Sequence, residues 1–150
     1  MPELKPRLRA DLNAAMKARD ELTTATLRMA LTAVSTEEVA GKQSRELSDD
    51  EVLRVLSREA KKRREAAEAF DGAGRVELAE RERAEGVVLD AYLPAQLGDD
   101  ELTELVRAAV AVAGATGPQQ MGAVMKLVQP QVAGRADGKR VSDEVRRQLG

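Results

Sequence analysis

Residues 92–118 read YLPAQLGDDELTELVRAAVAVAGATGP, and the way this stretch divides decides the fold. Pro94 has no amide proton and a fixed φ, so a helix arriving at Leu93 cannot run through it. The next periodic pattern starts afresh at Asp99. Leu102, Leu105, Val106, Ala109, Val110 and Ala113 then recur at i, i+3, i+4, i+7, i+8 and i+11, one continuous apolar stripe. The segment 94–98 is therefore expected to be a linker between an N-terminal domain, 1–93, and a smaller one, 99–150. Downstream, Thr116-Gly117-Pro118 places a proline where a new helix tolerates it, with Met121, Val124, Met125 and Val128 on the buried side. Pro130 is expected to end that helix. Val141, Val145 and Leu149 repeat at four and predict a short last helix with Asp137 as its N-cap.

Upstream of Pro94 the same period predicts four helices. Leu4, Leu8, Leu12, Ala15 and Met16 give one from about Glu3 to Arg19, and Leu27, Ala30, Leu31 and Val34 a second, capped by Gly41. Ser48 and Glu51 have the spacing of a capping box, opening a third that runs to about Phe70. A fourth extends from Arg75 to Leu93. The expected fold is all-α, four helices followed by three. Composition agrees: 43% of the 150 residues are hydrophobic and 33% charged, but only Phe70 and Tyr92 are aromatic, so the interior must be aliphatic.

The absence of Cys and His excludes thiolate and imidazole catalysis, disulfides and an ordinary zinc site. No metal, cofactor or catalytic residue is expected. A carboxylate enzyme would need acids such as Glu59 and Glu82 to converge in a pocket. With no apolar run near ~18 residues and no signal-peptide core, a cytoplasmic protein without a membrane span is expected.

Charge is uneven. The whole chain carries a formal −2, yet residues 126–150 hold six Lys and Arg against three acids. Within that tail GRADGKR, 134–140, places two glycines and a lysine close together. It is not a phosphate-binding P-loop: only three residues separate the glycines, and Arg140 follows Lys139 where Ser or Thr is required. Two readings stand level. In one, Gly134 makes a turn, Asp137 caps the last helix, and Lys139 and Arg140 pair with Asp143 and Glu144. In the other, free amides at the helix start and the charges of Arg135, Lys139 and Arg140 receive a phosphate. The run Lys61-Lys62-Arg63-Arg64 fans around its helix, so it reads as a solvated, salt-bridged surface, with Glu59 pairing Arg63. Gly122 is expected at a close helix crossing.

Taken together, LRMAL (27–31), DDEVLRVLSREAKKRREAAEAF (49–70), AYLPAQL (91–97), MGAVM (121–125) and GRADGKRVS (134–142) resemble the GatB/YqeY family of bacterial proteins. The similarity implies a helical N-terminal domain and a three-helix tail like that of the B subunit of the tRNA-dependent amidotransferase, a carbon–nitrogen ligase with glutamine as amido donor. That tail helps to hold tRNA, and the chemistry resides in a separate domain absent from this chain. Gly98 departs from the Ser or Thr expected as a cap, so the helix after it should start weakly. The resemblance shifts the balance toward a non-catalytic tRNA-binding accessory protein. Lys126, Arg135, Lys139 and Arg140 would contact phosphate, Gly134 and Gly138 would allow close approach, and Asp137 would fix the helix start. Without aromatics to stack bases, the tail would bind folded RNA by shape and charge. The alternative is a helical adaptor docking on an amidotransferase subunit or another tRNA-handling protein.

Overall fold

Apolar residues at helical spacing, with few β-branched runs, produce helices throughout the computed structural model, which describes residues 2–150. In order these are α1 (Leu4–Lys17), α2 (Glu21–Glu38), α3 (Asp49–Gly72), α4 (Val76–Asp90), α5 (Asp99–Ala113), a 3-10 turn (Pro118–Gln120), α6 (Met121–Val132) and α7 (Gly138–Leu149), with no strand among the described residues. The chain divides into two compact units between Leu93 and Pro94.

In the first unit, Leu8 of α1, Leu27 and Val34 of α2, Val52 and Leu56 of α3 and Leu89 of α4 meet in one aliphatic core. Each such side chain contributes about 1.5–3 kcal/mol of burial. The capping box at α3 is present: Ser48 Oγ accepts from the Glu51 amide, and a Glu51 carboxylate oxygen accepts from the Ser48 amide. Asp49 acts further away. Its carboxylate accepts from the amides of Glu3 at 3.0 and 3.2 Å and Leu4 at 3.0 Å, capping α1, whose own Glu3 makes no side-chain cap. Glu38 accepts from Lys5 Nζ at 2.6 Å and from the Leu47 amide at 3.2 Å, tying α1, α2 and the loop before α3 together. The lysine hydrogen bond keeps the Glu38 carboxyl below its usual range, against the opposing effect of burial.

Gly41 does not cap α2. That helix ends at Glu38 with Val39 at its C-cap, and the loop beyond turns back so that the Arg45 amide, seven residues on, reaches Glu38 O. The α3–α4 turn does use a glycine: Gly74, at φ +73°, lets its own amide reach Asp71 O and the Arg75 amide reach Phe70 O, closing the helix end with both 5→2 and 6→1 bonds. Arg63 is a buried cation at the contact of α3 with α4. It faces Glu59 at 3.2 Å, Glu85 at 3.2 Å and Glu82 at 3.8 Å, with Met29 Sδ against its other terminal nitrogen. Gly86, also buried, leaves room there: a Cβ on it would lie 3.8 Å from that of Arg63.

In the second unit, Leu102 and Val106 of α5, Val124, Val128 and Val132 of α6, and Val141, Val145 and Leu149 of α7 form the core. Residues 94–98, expected to be a linker, are built into this unit. Leu97 is 4% exposed and packs in the core, its amide donates to Arg135 O at 2.7 Å, and Gln96 donates to Gly134 O at 3.3 Å. A backbone bond of |i−j| near forty has no local sequence signature. Pro130 does not end α6, which continues to Val132. The proline removes only the bond to the Lys126 carbonyl, a tolerable loss in the last turn.

Candidate nucleic-acid interface

The turn from α6 into α7 is set by backbone conformation before any charge enters. Ala133 and Gly134 take φ +41° and +80°, reversing the chain, and the Arg135 amide closes on Val132 O at 2.8 Å. Asp137 then caps α7, accepting from the Lys139 amide at a long 3.4 Å. No acid occupies the first turn of α7 itself. Gly138 is the first helical residue, and a Cβ on it would meet nothing within 4 Å, so a side chain fits there.

The cations of the turn divide into two kinds. Arg140 is engaged: one terminal nitrogen donates to Leu97 O at 3.0 Å and to Asp99 Oδ1 at 2.9 Å, fastening the start of α7 to the start of α5. Arg135 has only a 4.0 Å approach to Glu101, its own side chain partly exposed and that of Glu101 well exposed. Lys139 is exposed and makes no side-chain hydrogen bond or ion pair to another described residue, and the same holds for Lys126, which lies within α6 rather than in the turn. The expected pairs of Lys139 and Arg140 with Asp143 and Glu144 do not form. Asp143 faces Arg146 at 3.5 Å instead. Glu144 takes Arg147 at 2.9 Å, Thr103 at 3.1 Å and Gln148 at 3.0 Å. Those bonds, Arg147 first, lower the Glu144 carboxyl to about 2. Glu144 is thus engaged by α5 and by residues C-terminal to it on α7, Arg147 and Gln148, rather than by Arg140.

The acids that meet the turn come from α5. From Pro94 to Gly150 the chain has seven Lys and Arg and seven Asp and Glu, so the excess counted from Lys126 onward is balanced across the unit. Asp99 and Glu101 were legible as a helix start. Their nearness to Arg140 and Arg135 was not. Gly122 also differs from expectation: it is exposed, and a Cβ there would meet nothing within 4 Å, so no close crossing requires it.

In the first unit Glu59 and Glu82 do converge, but on the buried Arg63, a counter-ion they share with Glu85. Lys62 and Arg81 pair with two of the three acids from the surface side. The cluster is a structural ion-pair network. Among the described residues no group of acids is placed to hold a metal ion, and no helix is long and apolar enough to cross a membrane.

An all-helical chain with this turn and this core has known relatives. The model of the Yqey-like protein family matches residues 5–149, and the chain belongs to that family. Among curated proteins it is 37% identical over 95 residues to an uncharacterized protein of Schizosaccharomyces pombe, covering 63% of this chain and 75% of that one. It is 31% identical over 151 positions to altered inheritance of mitochondria protein 41, mitochondrial, of Pyrenophora tritici-repentis, covering 97% of this chain and 80% of the relative. Both organisms are fungi, so the similarity is not confined to bacterial proteins.

Proposed function

We propose that the protein is a non-catalytic RNA-binding accessory protein, tRNA being its class of ligand, and that the three-helix C-terminal part acts as the binding domain, in the manner of the amidotransferase B-subunit tail. The four-helix N-terminal part serves as a separate domain in this reading, and the protein works in the cytoplasm. The observation that carries the proposal is Lys139 in the first turn of α7, exposed and without a side-chain partner among the described residues, at a helix start that Asp137 caps through a long bond. Backbone amides and the positive end of the helix dipole favour phosphate there, and a cation beside them adds to the attraction. Arg135, loosely held, and Lys126 supply further charge. Arg140 contributes by holding the turn against α5 rather than by meeting RNA. Contacts of this kind position a folded RNA through its backbone without reading bases.

Sequencing the RNA that copurifies with the tagged chain tests this directly. Enrichment of tRNA over other abundant RNA, reduced by Lys139→Glu, is the expected result. Recovery of RNA in proportion to cellular abundance, or equal tRNA recovery by the variant, would contradict it.

A further inference from the structure

α4 buries Ala79, Gly86 and Leu89 within the first unit, yet it also carries large apolar residues on the side turned to solvent. Val76 and Val87 are 56% and 68% exposed. Three helical turns separate them, so they lie on one line along the helix. Glu80, Arg83 and Asp90 fall in the same sector, about 80° wide at ~100° per residue. Arg75 stands at its start as the N-cap residue, and all of these side chains are exposed.

The order along this face, Arg75, Val76, Glu80, Arg83, Val87, Asp90, is unchanged when read backwards with the signs of charge exchanged. A second copy laid antiparallel about a two-fold axis through the middle of α4 therefore sets Val76 on Val87, Glu80 on Arg83, and Arg75 near Asp90, each contact made twice. A parallel copy in register would set like charges against each other.

Within one copy most of these charges are uncommitted. Glu80, Asp90 and Arg75 make no side-chain hydrogen bond or ion pair to another described residue. Glu80 and Arg83 have the i, i+3 spacing that pairs charges on a helix, but Arg83 turns instead to Asp71 of α3. Its guanidinium keeps further donors for a second carboxylate, and Glu80 is left for a cation from outside the copy. Any other partner would need this alternation of bulk and charge built into it. Another copy carries it already.

We infer that the solvent face of α4 is a self-association surface, covered by the same face of a second copy of this chain in antiparallel register. So few residues a side, against about 20–30 in a standard interface, make the dimer reversible, with a dissociation constant on the order of 100 µM. The face belongs to the first unit and requires nothing from α7, so the RNA-binding reading can fail without it.

The test is sedimentation equilibrium of the full chain from about 10 to about 500 µM, where mass action moves the parent from monomer toward dimer. Glu80→Lys and Arg83→Glu each place like charges opposite one another, and each is expected to weaken self-association by at least about tenfold. Mixed together, the two variants again face each other with opposite charges and are expected to form a heterodimer, which damage to the fold would not produce. A parent that stays monomeric at about 500 µM overturns the inference. So does undiminished association of either single variant, or a mixture that associates no better than its components, which would put any dimer contact on another surface.

Discussion

Lys139 and Arg140 are adjacent in sequence and identical in charge, yet the fold gives them opposite duties. Arg140 donates to a backbone carbonyl and to Asp99, so Arg140→Ala leaves the Leu97 carbonyl without that donor and is expected to cost about 1 kcal/mol, read as a lowered midpoint in urea. Lys139→Ala touches no partner and should stay within about 0.5 kcal/mol of the parent. Only the latter should weaken RNA binding while leaving stability alone. Arg63 is the other residue whose role depends on its surroundings. Removing its guanidinium by Arg63→Ala leaves three carboxylates at the α3–α4 contact without their shared counter-ion, and a loss of about 3 kcal/mol in chemical denaturation is expected. The pairing of Arg63 with Glu59 could be read from their spacing. The presence of Glu82 and Glu85 could not, because nothing local tells which face of α4 meets α3.

At the scale of the helix, the capping signals are where sequence spoke most clearly. Ser48 with Glu51, and Asp137 before α7, were legible because a cap depends on residues within one turn of each other. Asp49 shows the limit of that logic, since its carboxylate caps α1 across more than forty residues. Asp49→Ala should speed amide exchange in the first turn of α1 and cost about 1 kcal/mol, whereas a purely local role would confine the change to α3. Gly41 and Pro130 misled for a related reason. Each is a strong breaker by propensity, but the loop after α2 is held by Glu38, and a missing donor near the end of α6 leaves little to disrupt. Acid should act first on two depressed carboxyls, one at the start of α3 and one inside α7. Glu51 is lowered to about 2 by Arg45 and by the Ser48 amide, and Glu144 to about 2 by Arg147 and its neighbours. Carboxyls depressed in the folded state stabilise it fully above their unfolded value, near 4.5, and that stability disappears as pH falls toward 2. A thermal midpoint steady above about pH 5 and falling between 4.5 and 2 is expected, with a smaller fall in Glu144→Gln.

For the molecule as a whole, helical class and helix order were open to reading because the 3.6-residue period repeats over most of the helices, α4 being the exception, bounded instead by its flanking breakers. The charge environment of the tail was not. Counting cations along residues 126–150 suggested a positive patch, but folding brings Asp99 and Glu101 of α5 to Arg140 and Arg135, and the second unit is neutral in total. RNA binding on this account rests on a few cations, Lys126, Arg135 and Lys139, and so should be modest in strength and strongly sensitive to salt. The most direct measurement is a titration of the intact protein with bulk tRNA across ionic strengths, repeated with Lys139→Glu. About three phosphate contacts predict a slope of about −2 to −3 in log affinity against log salt, made shallower by roughly one contact in the variant. No binding at low salt, or a slope and affinity that Lys139→Glu leaves unchanged, would contradict the account.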